Sequence, residues 1–336
     1  MLAGSRSTHS AGHSPGQDTT TTPAWSALDA AVAHDPSARV PFFIGPSADE
    51  VRVGSVARAH LPELAGFAPA LQIAPDRVSM RLAGADRDST LEHINRQLRA
   101  HQLIHGWREE TITLWGADGI APLARIERAA ARFWGTLTLG AHATGYVARD
   151  DGRPEKIWIA QRAFDKATDP GCFDNLVGGG VADGQTPSAA LVREGREEAG
   201  LTPALMQHVK AAGVLRMLRD IPEGLQHEHL HAFDLALPSE WQPSNQDGEV
   251  AGFQLLPVAE AITLAAGHAM TVDAALVTLD FALRHGLLSR ADSRVYGLAD
   301  GLAPRIRALR IATPVATSVA PGVTGFNGSE GARQGP

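Results

Sequence analysis

The chain has 336 residues, enough for about two domains of ordinary size, each with its own core. Its 30 Lys and Arg against 37 Asp and Glu give a formal net charge of −7, which argues against the positive surface of a protein that binds a nucleic acid polymer. Cys172 is the only cysteine, which excludes an intramolecular disulfide and a cysteine-based zinc cluster.

Hydropathy and the ends of the chain indicate the compartment. No apolar run approaches the roughly 18 residues of a membrane span, and the N-terminus lacks the charged-then-apolar order of a signal peptide. We therefore expect a cytoplasmic protein with no membrane partner. Residues 1–24, rich in Ser, Thr and Gly, are expected to be a disordered tail, and an extension over residues 291–336 is expected to be largely flexible from about residue 312.

Residues 25–142 are predicted to form a smaller N-terminal α+β domain. A helix is expected where Ser89 caps a run with apolar residues at helical spacing, namely Leu91, Ile94 and Leu98. A strand is predicted over Thr111–Trp115 and a helix from about Ala121 to Phe133. We expect four tryptophans to be core residues: Trp25, Trp107, Trp115 and Trp134.

Residues 143–290 are predicted to form a second domain in which strands and helices are interspersed. The alternating run Lys156–Gln161 is typical of a half-buried strand. Further strands are expected at Val214–Leu218, His229–Leu237 and Gly252–Leu256. Helices are expected at Pro187–Ala199 and Val272–Arg284.

The most informative segment reads GGGVADGQTPSAALVREGREEAGL and runs from Gly178 to Leu201. Thr186 is a preferred N-cap, and Pro187 suits the first helical position. Gly200 stands where a helix ends with a left-handed residue. These signals bound the helix Pro187–Ala199 sharply.

Three glutamates of this helix, Glu194, Glu197 and Glu198, stand at i, i+3 and i+4 and so project from one face. A divalent cation would offset their repulsion, and hard carboxylate oxygens favour Mg²⁺, with Mn²⁺ as the alternative. Arg193 can pair with Glu197 one turn on. The glycines before the helix let backbone atoms approach a metal or a phosphate. The pattern predicts a metal cradle, and its alternative is a solvated acidic helix.

The segment resembles the Nudix box. Gly179 begins the match, and the remaining positions in register are Arg193, Glu194, Glu197, Glu198, Gly200 and Leu201. Two positions depart from the family pattern. Gln185 stands where the family has its first glutamate, which mainly pairs with the arginine, and Gly195 stands where the family has a hydrophobe. In a helix interior Gly195 costs about 1 kcal/mol relative to alanine, unless close packing excludes a side chain there.

Segments outside the box resemble a subgroup of Nudix proteins related to a fungal thiamine pyrophosphokinase. In the second domain these are Lys156–Arg162, Lys166, Asp169–Gly171 and Phe173–Asn175. In the first domain Gly106–Arg108, Glu127–Arg128 and Gly140–Tyr146 resemble the extra N-terminal domain of that subgroup. The resemblance implies a Nudix α/β/α sandwich preceded by a smaller α+β domain.

The resemblance also implies a magnesium-dependent hydrolase that cleaves a diphosphate linkage. The residues expected to act in catalysis are Glu194, Glu198 and Arg193. The expected metal ligands are Gly179, through its carbonyl, with Glu194, Glu197 and Glu198. A further carboxylate from outside the box is expected to be Glu249, with Glu228 as the other candidate.

Four residues near the glycine turn are expected to contact the substrate. Arg162 and Lys166 could bind phosphate, whereas Asp174 and Asn175 could shape the floor of the site. Their alternative role is that of surface charges and turn residues. The expected partner is a small-molecule diphosphate, and the oligomeric state, a homodimer included, stays open.

His227–His231, with the sequence HEHLH, places three histidines on one face of a strand. A transition-metal site is one interpretation. Since the same face continues into Phe233, Leu235 and Leu237, we favour structural or substrate-contacting histidines over zinc ligands.

Three functions remain open at this level. The subgroup implies conversion of oxidised or damaged thiamine diphosphates to monophosphates. The first alternative is a pyrophosphohydrolase of oxidised purine nucleoside triphosphates. The second is a catalytically weak module that binds a diphosphate, in which Gln185 and Gly195 mark lost activity.

Overall fold

The computed structural model of the protein describes residues 25–46, 49–82, 84–288 and 299–311. The predicted tail over residues 1–24 and the stretch predicted to be flexible from residue 312 lie outside the described residues.

The N-terminal part is built on a four-stranded sheet with the strand order β2-β1-β4-β3. Its strands are β1 Arg39–Ile44, β2 Val51–Ala57, β3 Leu71–Ala74 and β4 Arg77–Met80. A separate hairpin pairs β5 Thr111–Trp115 with β6 Pro122–Glu127. The helices are α1 Ser26–Ala30, α2 Leu61–Leu64, α3 Gly84–Ala100 and α4 Arg128–Trp134. Phe42, Leu98, Leu114 and Trp134 are fully buried in the core that joins the two sheets with α2, α3 and α4.

Two predictions about these helices were wrong in their bounds. Ser89 does not cap α3, which begins at Gly84; its hydroxyl instead donates to the carbonyl of Asp86 (3.3 Å) inside the helix. The predicted helix over residues 121–133 is a strand in its first half, because β6 pairs with β5 along its length. Only Arg128–Trp134 is helical, with the carboxylate of Glu127 accepting from the amide of Ala129 as the N-cap.

The four tryptophans differ in burial. Trp25 and Trp134 are buried, as expected of core residues. Trp107 and Trp115 are only half-buried, which corrects the prediction for these two. The guanidinium groups of Arg96 and Arg99 lie over the ring of Trp107, 5.4 and 4.9 Å from its centroid.

The second part is built on an eight-stranded mixed sheet. Its main path is β13-β8-β7-β12-β11-β14, with β10 paired to β7 and β9 paired to β8. The strands are β7 Leu137–Ala148, β8 Pro154–Arg162, β9 Phe173–Asn175, β10 Val177–Gly180, β11 Lys210–Ile221, β12 Gly224–Ala236, β13 Val250–Pro257 and β14 Arg310–Ile311. The helices are α5 Pro187–Ala199, α6 Pro203–Met206, α7 Val258–Ala266, α8 Val272–Arg284 and α9 Ala299–Leu309. The predicted strands and the predicted bounds of α5 and α8 are confirmed.

Helices cover both faces of this sheet. On one face, Ala190 and Leu191 of α5 pack with Ala141 and Ala143 of β7. On the other face, α7 and α8 pack against β8 and β12 in a cluster that includes Ile157, Ile159, Leu230, Ala232 and Leu276. Successive side chains of β8 point to opposite faces of the sheet. Trp158 packs in the cluster on the first face and Ile157 in the cluster on the second. The architecture is the expected α/β/α sandwich.

The boundary predicted between residues 142 and 143 falls inside β7, where the chain pairs continuously with β12. A strand cannot be divided there, because both halves belong to one sheet. The ends of the described chain also join this second part. Leu28 of α1, and Leu302 and Ile306 of α9, are buried in the α8 cluster, while β14 adds a strand beside β11. The segment 299–311 of the predicted C-terminal extension is therefore part of the core.

None of the helices that the structure describes combines the length and the apolar character needed to cross a membrane.

Candidate active site around the glycine turn

The glycine turn and the helix that follows it have the local structure that their residues favour. Strand β10 ends at Gly180, and α5 begins after Thr186, whose hydroxyl accepts from the amide of Ala189 (3.1 Å). Gly200 ends the helix in the left-handed region with φ +67°. At Gly195 a Cβ would lie 3.1 Å from Cδ1 of Leu201, so close packing accompanies that glycine.

The three glutamates of α5 have different partners. Arg193 donates from Nη2 to Oε1 of Glu194 (2.8 Å) and from Nη1 to Oε2 of Glu197 (3.0 Å), which confirms the predicted pairing with Glu197. Glu198 instead accepts from the backbone amide of Gly178 (3.0 Å). Arg193 therefore holds two of the carboxylates, while the glycine turn holds the third.

Burial changes the acidity of two of these carboxylates. Glu198 is only 7% exposed, and burial raises its pKa well above the usual range for glutamate. Burial also raises the pKa of Glu194, although Arg193 opposes the shift. Glu197 lies in solvent, with 45% of its side chain exposed. Charge on the buried pair is costly unless a cation is close.

The donor set suits a hard divalent cation. A Cβ at Gly179 would lie 2.4 Å from Oε1 of Glu194, so the bare backbone of this glycine forms one wall of a cradle for that carboxylate. Carboxylate and carbonyl oxygens are the ligands that Mg²⁺ prefers. As placed, however, no three His, Cys, Asp or Glu side chains in the described part of the chain are grouped to hold a metal ion.

A small cleft brings five of the expected site residues together. Its lining includes Arg162, Asp174, Asn175, Glu198 and Glu249. Lys166 contacts the carboxylate of Glu249 directly, and although burial opposes the shift, this contact lowers the pKa of Glu249. The outside carboxylate and the predicted substrate residues thus converge on the buried glutamate of α5.

Arg162, Asp174 and Asn175 are also committed to contacts within the fold. Arg162 donates to Asp174 (3.1 Å) and, through Nη2, to the carbonyl of Thr168 (2.8 Å). The amide of Asn175 donates to Oγ1 of Thr278 on α8 (3.1 Å), and its Oδ1 lies 3.2 Å from Nδ1 of His142. Arg162 and Asp174 are therefore held to each other at the cleft, and Asn175 ties the cleft to α8.

Gln185, which departs from the box pattern, is not engaged by the arginine of the box. Its Oε1 is buried and has no hydrogen-bond partner among the residues that the structure describes. Arg193 pairs with Glu194 and Glu197 instead. The arginine thus keeps carboxylate partners without a glutamate at position 185.

The other candidates, Glu228 and the histidines of the HEHLH segment, lie outside the glycine turn. Glu228 projects over Gly140, where a Cβ would lie 2.7 Å from its Oε1, and it accepts from Gln226 (3.0 Å). His227 and His229 are half-buried and line a cavity of about 530 Å³ between the two parts of the chain. Glu228 lines one cleft and His229 the other, while His227 lines both.

Sequence reasoning missed two residues that the N-terminal domain places at the turn. The guanidinium of Arg128 lies against Gly180, and Glu110 accepts from its Nη1 at 3.0 Å. Both residues lie far from the box in the sequence. Glu127–Arg128 resembles a segment of the extra N-terminal domain of the subgroup. Nothing in the sequence, however, indicates that these residues lie beside the glycine turn.

Two sequence families match adjacent parts of the chain. The NUDIX domain matches residues 139–275, and the domain of unknown function DUF4743 matches residues 28–138. The two matches meet at the start of β7, close to the predicted boundary.

Three relatives are similar over much of the chain. Nudix hydrolase 20, chloroplastic, of Arabidopsis thaliana is 34% identical over 230 residues, which cover 66% of this chain and 61% of the relative. Nudix hydrolase 24, chloroplastic, of the same plant is 34% identical over 204 residues, covering 60% of this chain and 55% of the relative. An uncharacterised protein of Saccharomyces cerevisiae is 27% identical over 264 residues, covering 72% of this chain and 77% of that protein.

The chain spans less than two thirds of the length of both plant relatives. The matched residues 139–275 nevertheless contain the glycine turn, α5 and all of its glutamates. Residues 139–275 therefore match the NUDIX domain over the whole candidate site, and the match to DUF4743 precedes this segment.

Proposed function

We propose that the protein is a divalent-metal-dependent hydrolase that cleaves a diphosphate linkage in a small molecule. The observation that carries this proposal is the buried carboxylate of Glu198, held by the amide of Gly178 inside a matched NUDIX domain. A buried acid with a raised pKa beside a second buried acid is typical of a functional site rather than of a solvated surface.

Each residue of the turn has a role in this proposal. Glu197 and Glu198, with the carbonyl of Gly179, would hold Mg²⁺ or Mn²⁺, and Glu249 would add a ligand from its loop. Glu194 would be either a further ligand or the base. When bound, the cation supplies positive charge that neutralises phosphate oxygens and activates water. Arg193 orients Glu194 and Glu197.

The carboxylate of Glu194 is the proposed proton acceptor. Because burial raises its pKa, it binds a proton more readily than an exposed glutamate does. It would take one proton from the attacking water as the new P–O bond forms. The P–O bond to the bridging oxygen breaks, and a monophosphate and a second phosphate-bearing product leave.

For the substrate we propose oxidised or damaged thiamine diphosphates, as the resemblance of the segments Lys156–Arg162 and Phe173–Asn175 implies. The alternative is an oxidised purine nucleoside triphosphate. A panel of thiamine diphosphate, its oxidised analogues, nucleoside triphosphates and nucleotide sugars, assayed for phosphate release with Mg²⁺, separates these. Tight binding without turnover across the panel would instead support a diphosphate-binding module.

Glu198→Gln tests the proposed chemistry. Glutamine keeps an oxygen that accepts from Gly178, so we expect the fold to survive and turnover to fall by more than about 100-fold, beyond the loss typical of an outer residue of a metal site. The measurement is the rate of Mg²⁺-dependent phosphate release. Exposed Glu240, changed to Gln, is the matched control and should retain the full rate. Retained turnover in Glu198→Gln would remove the basis of the proposal.

A cytoplasmic location and the oligomeric state stay predictions. The absence of any membrane-crossing helix among the described residues is compatible with that location, whereas both plant relatives carry the word chloroplastic in their names.

A further inference from the structure

The N-terminal domain is bound directly to the loop of the Nudix box. The amide of Asp183 donates to the carbonyl of Thr111 (2.9 Å), and the hydroxyl of Thr113 donates to the carboxylate of Asp183 (2.6 Å). These bonds hold the edge of β5 against the segment between Gly180 and α5. Residues at the ends of the β5–β6 hairpin are therefore brought to the glycine turn.

Arg128 occupies the space that a side chain at position 180 would fill. A Cβ built on Gly180 would lie 2.5 Å from both Cζ and Nη2 of Arg128. Glu110 fixes the arginine in this position, since both of its carboxylate oxygens accept from Nη1 (3.1 and 3.0 Å) and its carbonyl accepts from the backbone amide of Arg128 (2.8 Å). The glycine turn thus acquires a cation from another domain.

Most donors of this guanidinium are unused. Nη2 and Nε of Arg128 make no hydrogen bond to any residue that the structure describes, while 33% of the side chain is exposed. The group lines a cleft of about 50 Å³ together with Gly180, Thr138, Gln226 and Glu228. Such a volume holds a few water-sized groups, which is about the space of the terminal oxygens of one phosphate.

A second arginine, Arg108, is near Arg128 through its backbone. It is exposed, and its amide donates to the carboxylate of Glu127 (3.1 Å), the residue before Arg128. Burial and the charge of Arg128 lower the pKa of Arg108, whereas the charges of Glu110 and Glu249 oppose the shift. Glu110 therefore acts on both arginines, and a further anion is favoured beside two such cations.

We propose that Arg108 and Arg128 of the DUF4743 domain bind a phosphate group of the diphosphate substrate, so that the active site is shared by both domains. This rests on the proposed function for the identity of the substrate. The planar guanidinium of Arg128, with free donors beside a backbone that carries no side chain, suits the oxygens of a phosphate. The carboxylate of Glu194 lies at Gly179, the residue before Gly180 in the same strand.

Binding of imidodiphosphate, a hydrolysis-resistant diphosphate, to the full chain tests the proposal without requiring turnover. We expect Arg128→Ala and Arg108→Ala each to weaken binding by about 10- to 100-fold in calorimetry with Mg²⁺ present, the range for a lost charge-assisted hydrogen bond. Arg128→Lys should bind with intermediate affinity, because it keeps the charge but loses the planar fork. Exposed Arg149, changed to Ala, is the matched control and should bind as the unmodified chain does.

Unchanged affinity in both alanine variants would overturn the proposal and leave Arg128 as a structural partner of Glu110. If Arg128→Ala does not fold, Arg108→Ala decides, because its exposed side chain makes no hydrogen bond to the described residues. Different results would contradict the proposed function and the proposed shared site. Turnover that survives Glu198→Gln contradicts the proposed role of Glu198, and absence of turnover across the panel contradicts the hydrolase, whereas affinity that survives the arginine substitutions contradicts the shared site.

Discussion

The lack of a side chain at Gly179 leaves room for a neighbouring carboxylate. The carboxylate of Glu194 fills the space in which a Cβ would stand, with Oε1 only 2.4 Å from that position. Any side chain at position 179 would collide with this carboxylate, so the turn and the helix pack together only with glycine there.

Gly179→Ala should displace Glu194 and break its ion pair with Arg193, so we expect Mg²⁺-dependent turnover to fall by at least about 10-fold, the lower range for a disturbed partner of a metal site. The measurement is kcat with the best substrate of the panel. Gly252→Ala is the control, since nothing lies within 4 Å of a Cβ there. Equal rates in the two variants would show that Glu194 is not positioned by this contact.

At the scale of the element, both ends of α5 are determined by interactions within a few residues of the chain. The hydroxyl of Thr186 accepts the amide of Ala189, and Gly200 takes the left-handed conformation that ends the helix. Both ends are therefore determined by adjacent residues. Such signals can be seen in the sequence without knowledge of the fold.

Thr186→Ala removes the N-cap of α5 and should lower the free energy of unfolding by about 1 kcal/mol. A shift of the urea midpoint to lower concentration, at an unchanged slope, is the expected result. Thr186→Ser keeps the hydroxyl and serves as the control. If the alanine and serine variants unfold alike, the hydrogen bond to Ala189 does not stabilise the helix.

At the scale of the molecule, the two domains enclose a basic cavity of about 530 Å³. Arginines and histidines from both parts line it, including Arg52, Arg216, His34, His227 and His229. Burial lowers the pKa of His227 and of His229 from 6.5 to about 4. His227 and His229 are therefore neutral in the folded protein at neutral pH.

Because His227 and His229 are buried in this cavity, we expect the free energy of unfolding to be lower in mild acid. Between pH 6.5 and about 4 these histidines are protonated in the unfolded chain but largely neutral in the folded chain. The unfolded state therefore binds more protons, and the free energy of unfolding falls as the pH falls. We expect the urea midpoint to decrease across this window, and His229→Asn to flatten the decrease. Exposed His101, changed to Asn, should leave the slope as it is. An identical slope in His229→Asn would contradict this origin of the acid sensitivity.

Much of the site could be predicted from the chain alone. Thr186, Pro187 and Gly200 determined the bounds of α5, and the spacing of Glu194, Glu197 and Glu198 placed them within one turn. These features depend on hydrogen bonds and spacing within a few residues. The alternation of β8 and the apolar spacing of α8 likewise predicted their elements, because each buries a regular face.

Only the tertiary structure decided the remaining features. Pro122–Glu127 is a strand rather than a helix because β5 lies beside it, and α9 joins the core because α8 offers it an apolar face. The partners of the three glutamates also depended on packing, since Glu198 faces the amide of Gly178 while Arg193 holds the other two. Arg128 reaches Gly180 because two domains are docked. Contacts between residues distant in sequence leave no periodic or local signal, so the glutamate helix could be predicted and the arginine that faces its glycine turn could not.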